Sequence, residues 1–298
     1  MKKTAALPLL SAALIFACLL FSCVPQKKAA SGKKELEKLD SQLVKHSADL
    51  KKLDEKRQRK DDQNEIDSAA NSRIKKFIDK TNTEIDTLLG QNTVIIRGTE
   101  IKKADWDRLR EALSITQTAE QRINQKISFL EDLINRNMVV KLDQDVLFEP
   151  GSYRVSPSVV SKMTNLFEPA ALEIDRFTKK YPDFPLTLVI TAKGYADGTI
   201  IGEGSSLYRE LKAQLNLSGT EPDNKELNKQ LSRARAKAVR DLFEKFAATR
   251  SDNGIYLRNV VYLHEGKGES LPDPKVKDYA INDPRRRVVL LFWSIFPD

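Results

Sequence analysis

Apolar positions follow two regimes along the 298 residues, and the change comes near Asn137. From Lys33 to about Leu89 there is neither Gly nor Pro, and polar helix formers dominate. Leu36, Leu39, Leu43, Leu50 and Leu53 fit a seven-residue repeat, with His46 at one seam position. The seam weakens at Arg57, Lys60 and Asn64, then resumes as Ile66, Ala70, Ile74, Phe77, Thr81, Ile85 and Leu88. A helix this polar does not hold itself together by propensity and needs a partner along that stripe. At about 1.5 Å per residue, one helix over the whole span is roughly 85 Å long. Gly90-Gln91-Asn92 interrupts the pattern, and Val94-Ile95-Ile96 before Gly98 predicts a short extended connector. A second helix starts near Lys102 and runs through Trp106, Leu109, Leu113, Ile123, Ile127, Leu130 and Ile134. The two helices either fold back as an antiparallel hairpin or pair with copies of themselves in an oligomer.

Beyond Asn137 the pattern becomes that of strands. Val139–Leu142 and Val146–Phe148 are rich in β-formers and end at Pro150-Gly151. A helix follows with Val159, Leu166, Ala170, Ile174 and Phe177 on one face, then an apolar strand over Leu186–Ile190. Asp223 and Glu226 are spaced for a capping box, opening a helix whose core face is Leu227, Leu231, Ala234, Ala238, Leu242 and Phe246. Val260–Leu263 and Val288–Trp293 complete a β-α-β-α-β-β order, an α/β (α+β) sandwich with helices on one side of a sheet, preceded by a long α-helical coiled-coil segment.

The first residues have a different purpose. Lys2 and Lys3 precede an apolar run from Ala5 to Phe21, shorter than a membrane span and interrupted by Pro8. It ends in Leu20-Phe21-Ser22-Cys23 and turns polar at Gln26-Lys27-Lys28. A Leu three residues before a Cys, with a small residue between them and the Cys, resembles the bacterial lipobox. That resemblance implies cleavage before Cys23, acylation of its sulfur and amino group, and a lipid anchor strong enough to hold by more than one chain. Val24 is not the acidic residue that retains such proteins at the inner membrane, which implies an outer-membrane anchor facing the periplasm. Cys18 leaves with the leader, so the mature chain has no second thiol for a disulfide or a Cys-based metal site. The expected organisation is a signal peptide over 1–22, a lipidated tether over 23–32, a helical spacer over 33–137 and a folded domain over 138–298.

Composition adds little to this. Charged residues make up 31% and the formal net charge is +8, which suits an acidic partner without choosing one. Nucleic acid is excluded by the export signal and by the lack of any fitting motif. Only His46 and His264 are present, and there is no nucleophile elbow, phosphate-cradling loop or zinc-ligand spacing, so neither a catalytic site, a metal nor a cofactor is expected.

Four stretches in order carry the recognisable chemistry: Val146-Leu147-Phe148-Glu149, Gly194-Tyr195-Ala196-Asp197-Gly198, Asn228 through Ala236, and Gly266-Lys267-Gly268-Glu269 to Pro272 with Arg286-Arg287-Val288. Together they resemble the OmpA/MotB/Pal peptidoglycan-binding domain. The resemblance implies a pocket for the free end of diaminopimelate in the peptide stem, with Asp197 for its ammonium and Arg235 for its carboxylate. Asn228 and backbone amides complete the cradle, Leu231 packs beneath it, and Arg287 is the member of Arg285-Arg286-Arg287 placed at the pocket. The physical logic is that a zwitterion needs one carboxylate and one forked guanidinium.

Two departures stand out. Ala196 replaces the family's Thr, and residues 199–226 form an insertion where the family has a short loop. It contains Gly202, Gly204 and a short helix through Leu207, Leu211 and Leu215, predicted to form a lid-like excursion. The protein is thus expected to hold the wall without catalysis, with a homo-oligomer or an envelope protein as a further partner of its helices. Radiolabelled lipid is expected to enter the wild-type chain and not Cys23→Ser.

Overall fold

The computed structural model describes residues 26–98, 103–136, 139–182, 184, 186–215, 221–250 and 259–297. The leader and Cys23 lie outside the described residues. Among the described residues no helix is long and apolar enough to cross a membrane. The chain divides into two compact units, one of Met1–Asp54 with Lys76–Glu131 and one of Glu55–Lys75 with Asp132–Asp298.

Three helices build the first unit, α1 (Gln26–Asp62), α2 (Ser68–Arg97) and α3 (Lys103–Asn135), and each has one end in the second. The single helix expected from Lys33 to Leu89 is therefore broken. The break falls where the apolar seam weakened. Asn64 adopts the left-handed region at φ 53°, and Asp67 Oδ1 caps the next helix by accepting from the Ala69 and Ala70 amides at 2.7 and 3.0 Å. Arg57, at the weak seam, is buried and hydrogen-bonds Asn71 across this turn.

Within the first unit each helix finds its partner stripe in the other two. Leu36, Leu43, Leu50, Ile85 and Ile123 are fully buried. Asp40 with Asn92 and Ser47 with Asn82 set α1 antiparallel to α2, because the numbers run in opposite senses. Glu84 with Lys126, and Asn92 with Thr116, do the same for α2 and α3. His46 meets Glu120 of α3 at 2.9 Å. The predicted connector at Val94–Ile96 is helical instead, since Ile95 and Ile96 pack on the cluster of Leu36, Leu109 and Ala112. Burial outweighed the β-propensity of those residues.

In the second unit a four-stranded mixed sheet runs β1-β4-β2-β3: β1 (Val139–Asp143), β2 (Leu186–Gly194), β3 (Asn259–Gly266) and β4 (Val288–Pro297). β4 is antiparallel to both neighbours, whereas β2 and β3 are parallel. The second predicted strand, at Val146–Phe148, is one helical turn, α4 (Gln144–Leu147), with only Phe148 bridging to Val155. The single helix predicted after Pro150 is two, α5 (Pro157–Ser161) and α6 (Met163–Lys180), divided at Lys162.

After β2 come α7 (Ser206–Leu215) and the long α8 (Asn224–Arg250), which opens with the predicted capping box. The Glu226 amide donates to Asp223 Oδ1 at 2.7 Å, and Glu226 Oε2 accepts from the Asp223 amide at 3.0 Å. Leu227, Leu231, Leu242 and Phe246 of the expected core face of α8 are buried, and the buried side also takes in Ser232, Arg235, Ala236, Val239 and Phe243, while Ala234 and Ala238 are half-exposed. Polar Ser232 and Arg235 break the apolar periodicity that pointed elsewhere. Phe167 of α6 packs edge-on to Phe243 at 5.1 Å between ring centres, joining α6 to α8.

One sheet face meets α8 at very close range. A methyl group at Gly194 would overlap the Ser232 carbonyl and lie 3.3 Å from Ala236 Cβ. On the other face Arg73 stands over the Phe296 ring at 5.5 Å, and buried Lys193 over Phe292 at 5.0 Å. Burial draws the Lys193 ammonium below its ordinary pKa, and Asp67 opposes that shift. So the second face, expected to lack helices, carries side chains of α2 and of the turn before it.

Gly194→Ala is expected to destabilise the second unit by about 3 kcal/mol, because helix and strand must separate to admit the methyl group. Gly90→Ala, in the middle of α2 with nothing within 4 Å, is expected to stabilise the protein by about 1 kcal/mol. Thermal melting by circular dichroism checks both.

Candidate ligand pocket at the end of β2

β2 leaves the sheet at Gly194 into Tyr195-Ala196-Asp197-Gly198. Backbone hydrogen bonds tie this loop to three other segments. The Tyr195 amide donates to Val288 O at 2.9 Å, Ala196 to Gly268 O at 2.7 Å and Gly198 to Ile281 O at 2.7 Å. The hydroxyl absent at Ala196 is therefore not needed to fix the loop's path. Gly268 is itself anchored, its amide donating to Ser232 Oγ at 2.9 Å.

The loop buries Asp197, which is 6% exposed. Its Oδ1 accepts from the Thr199 amide at 3.2 Å. Its Oδ2 is buried with no hydrogen-bond partner; the nearest cation is Arg287, with Nε at 3.9 Å. Arg287 Nε likewise lacks a partner, and its Nη2 pairs with Asp145 Oδ2 at 3.0 Å. A buried carboxylate oxygen without a donor carries a desolvation cost.

Arg235 lies about one turn before Val239 on the inner stripe of α8 and is 8% exposed. Its Nε donates to Ser152 O at 3.0 Å, its Nη1 to Gln144 Oε1, and its guanidinium covers the Phe148 ring at 5.5 Å. Burial pulls its pKa down to about 10, Asp145 and Asp197 push back up, and Arg287 pushes down. It stays protonated at neutral pH. Arg235 and Asp197 thus share one electrostatic environment, but the ion pair Asp197 makes is with Arg287.

Gln144 organises much of this. Its side-chain amide donates to Tyr195 O at 2.6 Å and Val288 O at 3.1 Å while its oxygen receives Arg235. It therefore joins α4, the β2 loop, β4 and α8 through one residue. Asn228 is 2% exposed, and its Nδ2 donates to Glu269 Oε1 at 2.8 Å and Thr199 O at 3.4 Å. The three consecutive arginines separate by role. Arg285 pairs with Asp283 at 2.6 Å. Arg286 is buried and donates to the carbonyls of Glu269, Ala280 and Ile281. Arg287 faces Asp197.

Leu231 is buried and packs with Leu227, Tyr208 and Leu211, so it supports the insertion. The insertion is held firmly: Ile201 N–H donates to Asn224 Oδ1 at 2.9 Å and Tyr153 OH to Glu210 Oε2 at 2.7 Å. Its first residue, Thr199, contacts both Asp197 and Asn228, so the insertion begins inside the site. Sequence reasoning gave no role to Gln144, Asp145 and Ser152. Glu269 stood in a quoted motif without one.

The chain thus combines a helical N-terminal part with a mixed α+β unit in which two coupled, buried charges of opposite sign, Asp197 and Arg235, lie near the end of β2. No family model matches the sequence, and no curated protein matches it. Among solved structures, a MotB-like protein from Desulfovibrio vulgaris is similar to this chain at 16% identity and a TM-score of 0.30, over 52% of this chain and 72% of that one.

Gln144→Leu keeps the volume but strips Arg235 of an acceptor and two carbonyls of a donor. It is expected to cost the second unit about 2 kcal/mol in chemical denaturation.

Proposed function

We propose that this protein binds peptidoglycan non-covalently and without chemistry, from a lipid anchor at Cys23 in the outer membrane, facing the periplasm. The observation that carries the reading is the buried Asp197 Oδ2, without a hydrogen-bond partner among the described residues, electrostatically coupled to a buried, protonated Arg235. Such a pair fits a zwitterionic amino-acid end, as found on diaminopimelate in the peptide stem. The ligand's ammonium donates to Asp197 Oδ2, and its carboxylate meets the Arg235 guanidinium and the cation of Arg287. Binding then replaces an unpaired buried acceptor with a charge-assisted hydrogen bond, where the gain is largest. The four stretches that resemble the OmpA/MotB/Pal domain supply the ligand class. The helices before the domain act as the spacer between anchor and wall.

A second reading makes the protein an envelope scaffold acting through its helices and insertion, with wall binding secondary or lost. The seating of the insertion on Leu227 and Leu231 favours it, because a packed, hydrogen-bonded element of this size presents a defined surface.

Sedimentation with purified sacculi separates the two. Asp197→Ala and Arg235→Ala are each expected to lower retention by about tenfold or more. Unchanged retention in both variants would leave only the scaffold.

A further inference from the structure

Beside the pocket a trough of about 500 Å³ runs along the outer side of α8. Its floor is Ala234 and Ala238, one helical turn apart, and their short side chains leave Arg233 and Lys237 standing as walls. Tyr153 and Arg154 close one side, His264 of β3 lines another, and Gln214 of the insertion borders it. The half-exposed alanines that the apolar pattern assigned to the core are the base of this trough.

Its charge is lopsided. Arg154, Arg233 and Lys237 face a single acid, Asp241, which Lys237 Nζ at 2.8 Å and Arg240 Nε at 2.8 Å already occupy. The Arg233 side chain makes no hydrogen bond or ion pair with the described residues, and Arg154 meets Glu210 at 3.7 Å and Tyr153. The cations also converge on His264: burial is the main cause that lowers its pKa, and Arg240, Arg233 and Lys237 lower it further against Asp241. The trough adjoins the pocket through three consecutive residues. Ser152 O accepts from Arg235, and the next two side chains, Tyr153 and Arg154, wall the trough.

We propose that this trough is a second binding site, for carboxylate groups carried by the peptide stems of the wall polymer whose zwitterionic end enters the Asp197 pocket. It rests on the wall-binding reading for the identity of the polymer, while the oxyanion chemistry stands on the trough alone. Two guanidiniums and an ammonium around an apolar floor match carboxylates spaced along a peptide, since each fork takes two oxygens of one group. A polymer engaged at both places is held by two linked contacts, so each strengthens the other.

The test uses the full mature chain, the imidazole resonances of His264, and citrate as a carboxylate-rich probe. Citrate is expected to raise the His264 pKa in wild type and equally in Asp197→Ala. The effect is lost in the triple variant Arg154→Gln, Arg233→Gln, Lys237→Gln, whose altered side chains lie at the surface. The same triple variant is expected to bind sacculi about tenfold more weakly and with a shallower salt dependence. No citrate response in wild type overturns the site. Unchanged sacculus affinity in the triple variant overturns its assignment to the wall polymer. Failure of wild type to bind sacculi, with the citrate response intact, sinks the wall-binding reading and leaves the anion site standing.

Discussion

The contact between α8 and the ends of β2 and β3 governs everything else in the second unit. Side chains at Gly194 or Gly266 would collide with α8 backbone, so both strands end in glycine where the helix passes. That approach brings Ser232 Oγ to the Gly268 amide, and it fixes the turn at Gly266–Gly268 against the Asp197 loop. Arg235 and Asn228, set on the same inner stripe, are then carried to the loop without adjustment of their own. A ligand pocket built on one rigid helix and one strand end is held to a tolerance that loops alone do not give.

Charge is what this packing works against. Arg235, Asp197, Arg286 and Lys193 are all buried, and each has a different answer to its desolvation. Arg286 donates through its two terminal nitrogens to three carbonyls, while its Nε has no partner among the described residues. Lys193 leans on an aromatic ring and feels Asp67 across the sheet face. Arg235 is only partly satisfied, by one carbonyl and Gln144, and Asp197 keeps one oxygen without a donor. Among the described residues, buried polar atoms without a hydrogen-bond partner occur at this loop, on Asp197 and Arg287, and also away from it, on Asp67, Arg136, Thr191, Arg250 and Ser294.

Much of this was legible in the residues. Apolar runs marked β1, β2, β3 and β4, the Asp223–Glu226 spacing marked the start of α8, and the motif around Asp197 marked the pocket loop. Three features were hidden for physical reasons. Val146–Phe148 has strand propensity, yet Gln144 turns the chain into a helix by binding two distant carbonyls, a long-range demand that no local pattern carries. The break between α1 and α2 has no Gly or Pro and depends on a left-handed Asn64 and the Asp67 cap. Ala234 and Ala238 read as core because alanine is apolar, whereas the buried positions beside them are Ser232 and Arg235. Polar residues placed inward reverse the inference from hydrophobicity.

The most direct measurement is calorimetric titration of the mature protein with two soluble peptides that differ at one residue. One carries diaminopimelate with its free zwitterionic end, and the other carries lysine, which has the ammonium but not the second carboxylate. The account predicts that the first binds at least about tenfold more tightly, and that Arg235→Ala abolishes the difference. Equal affinity for the two peptides, or a preference that survives Arg235→Ala, would contradict it.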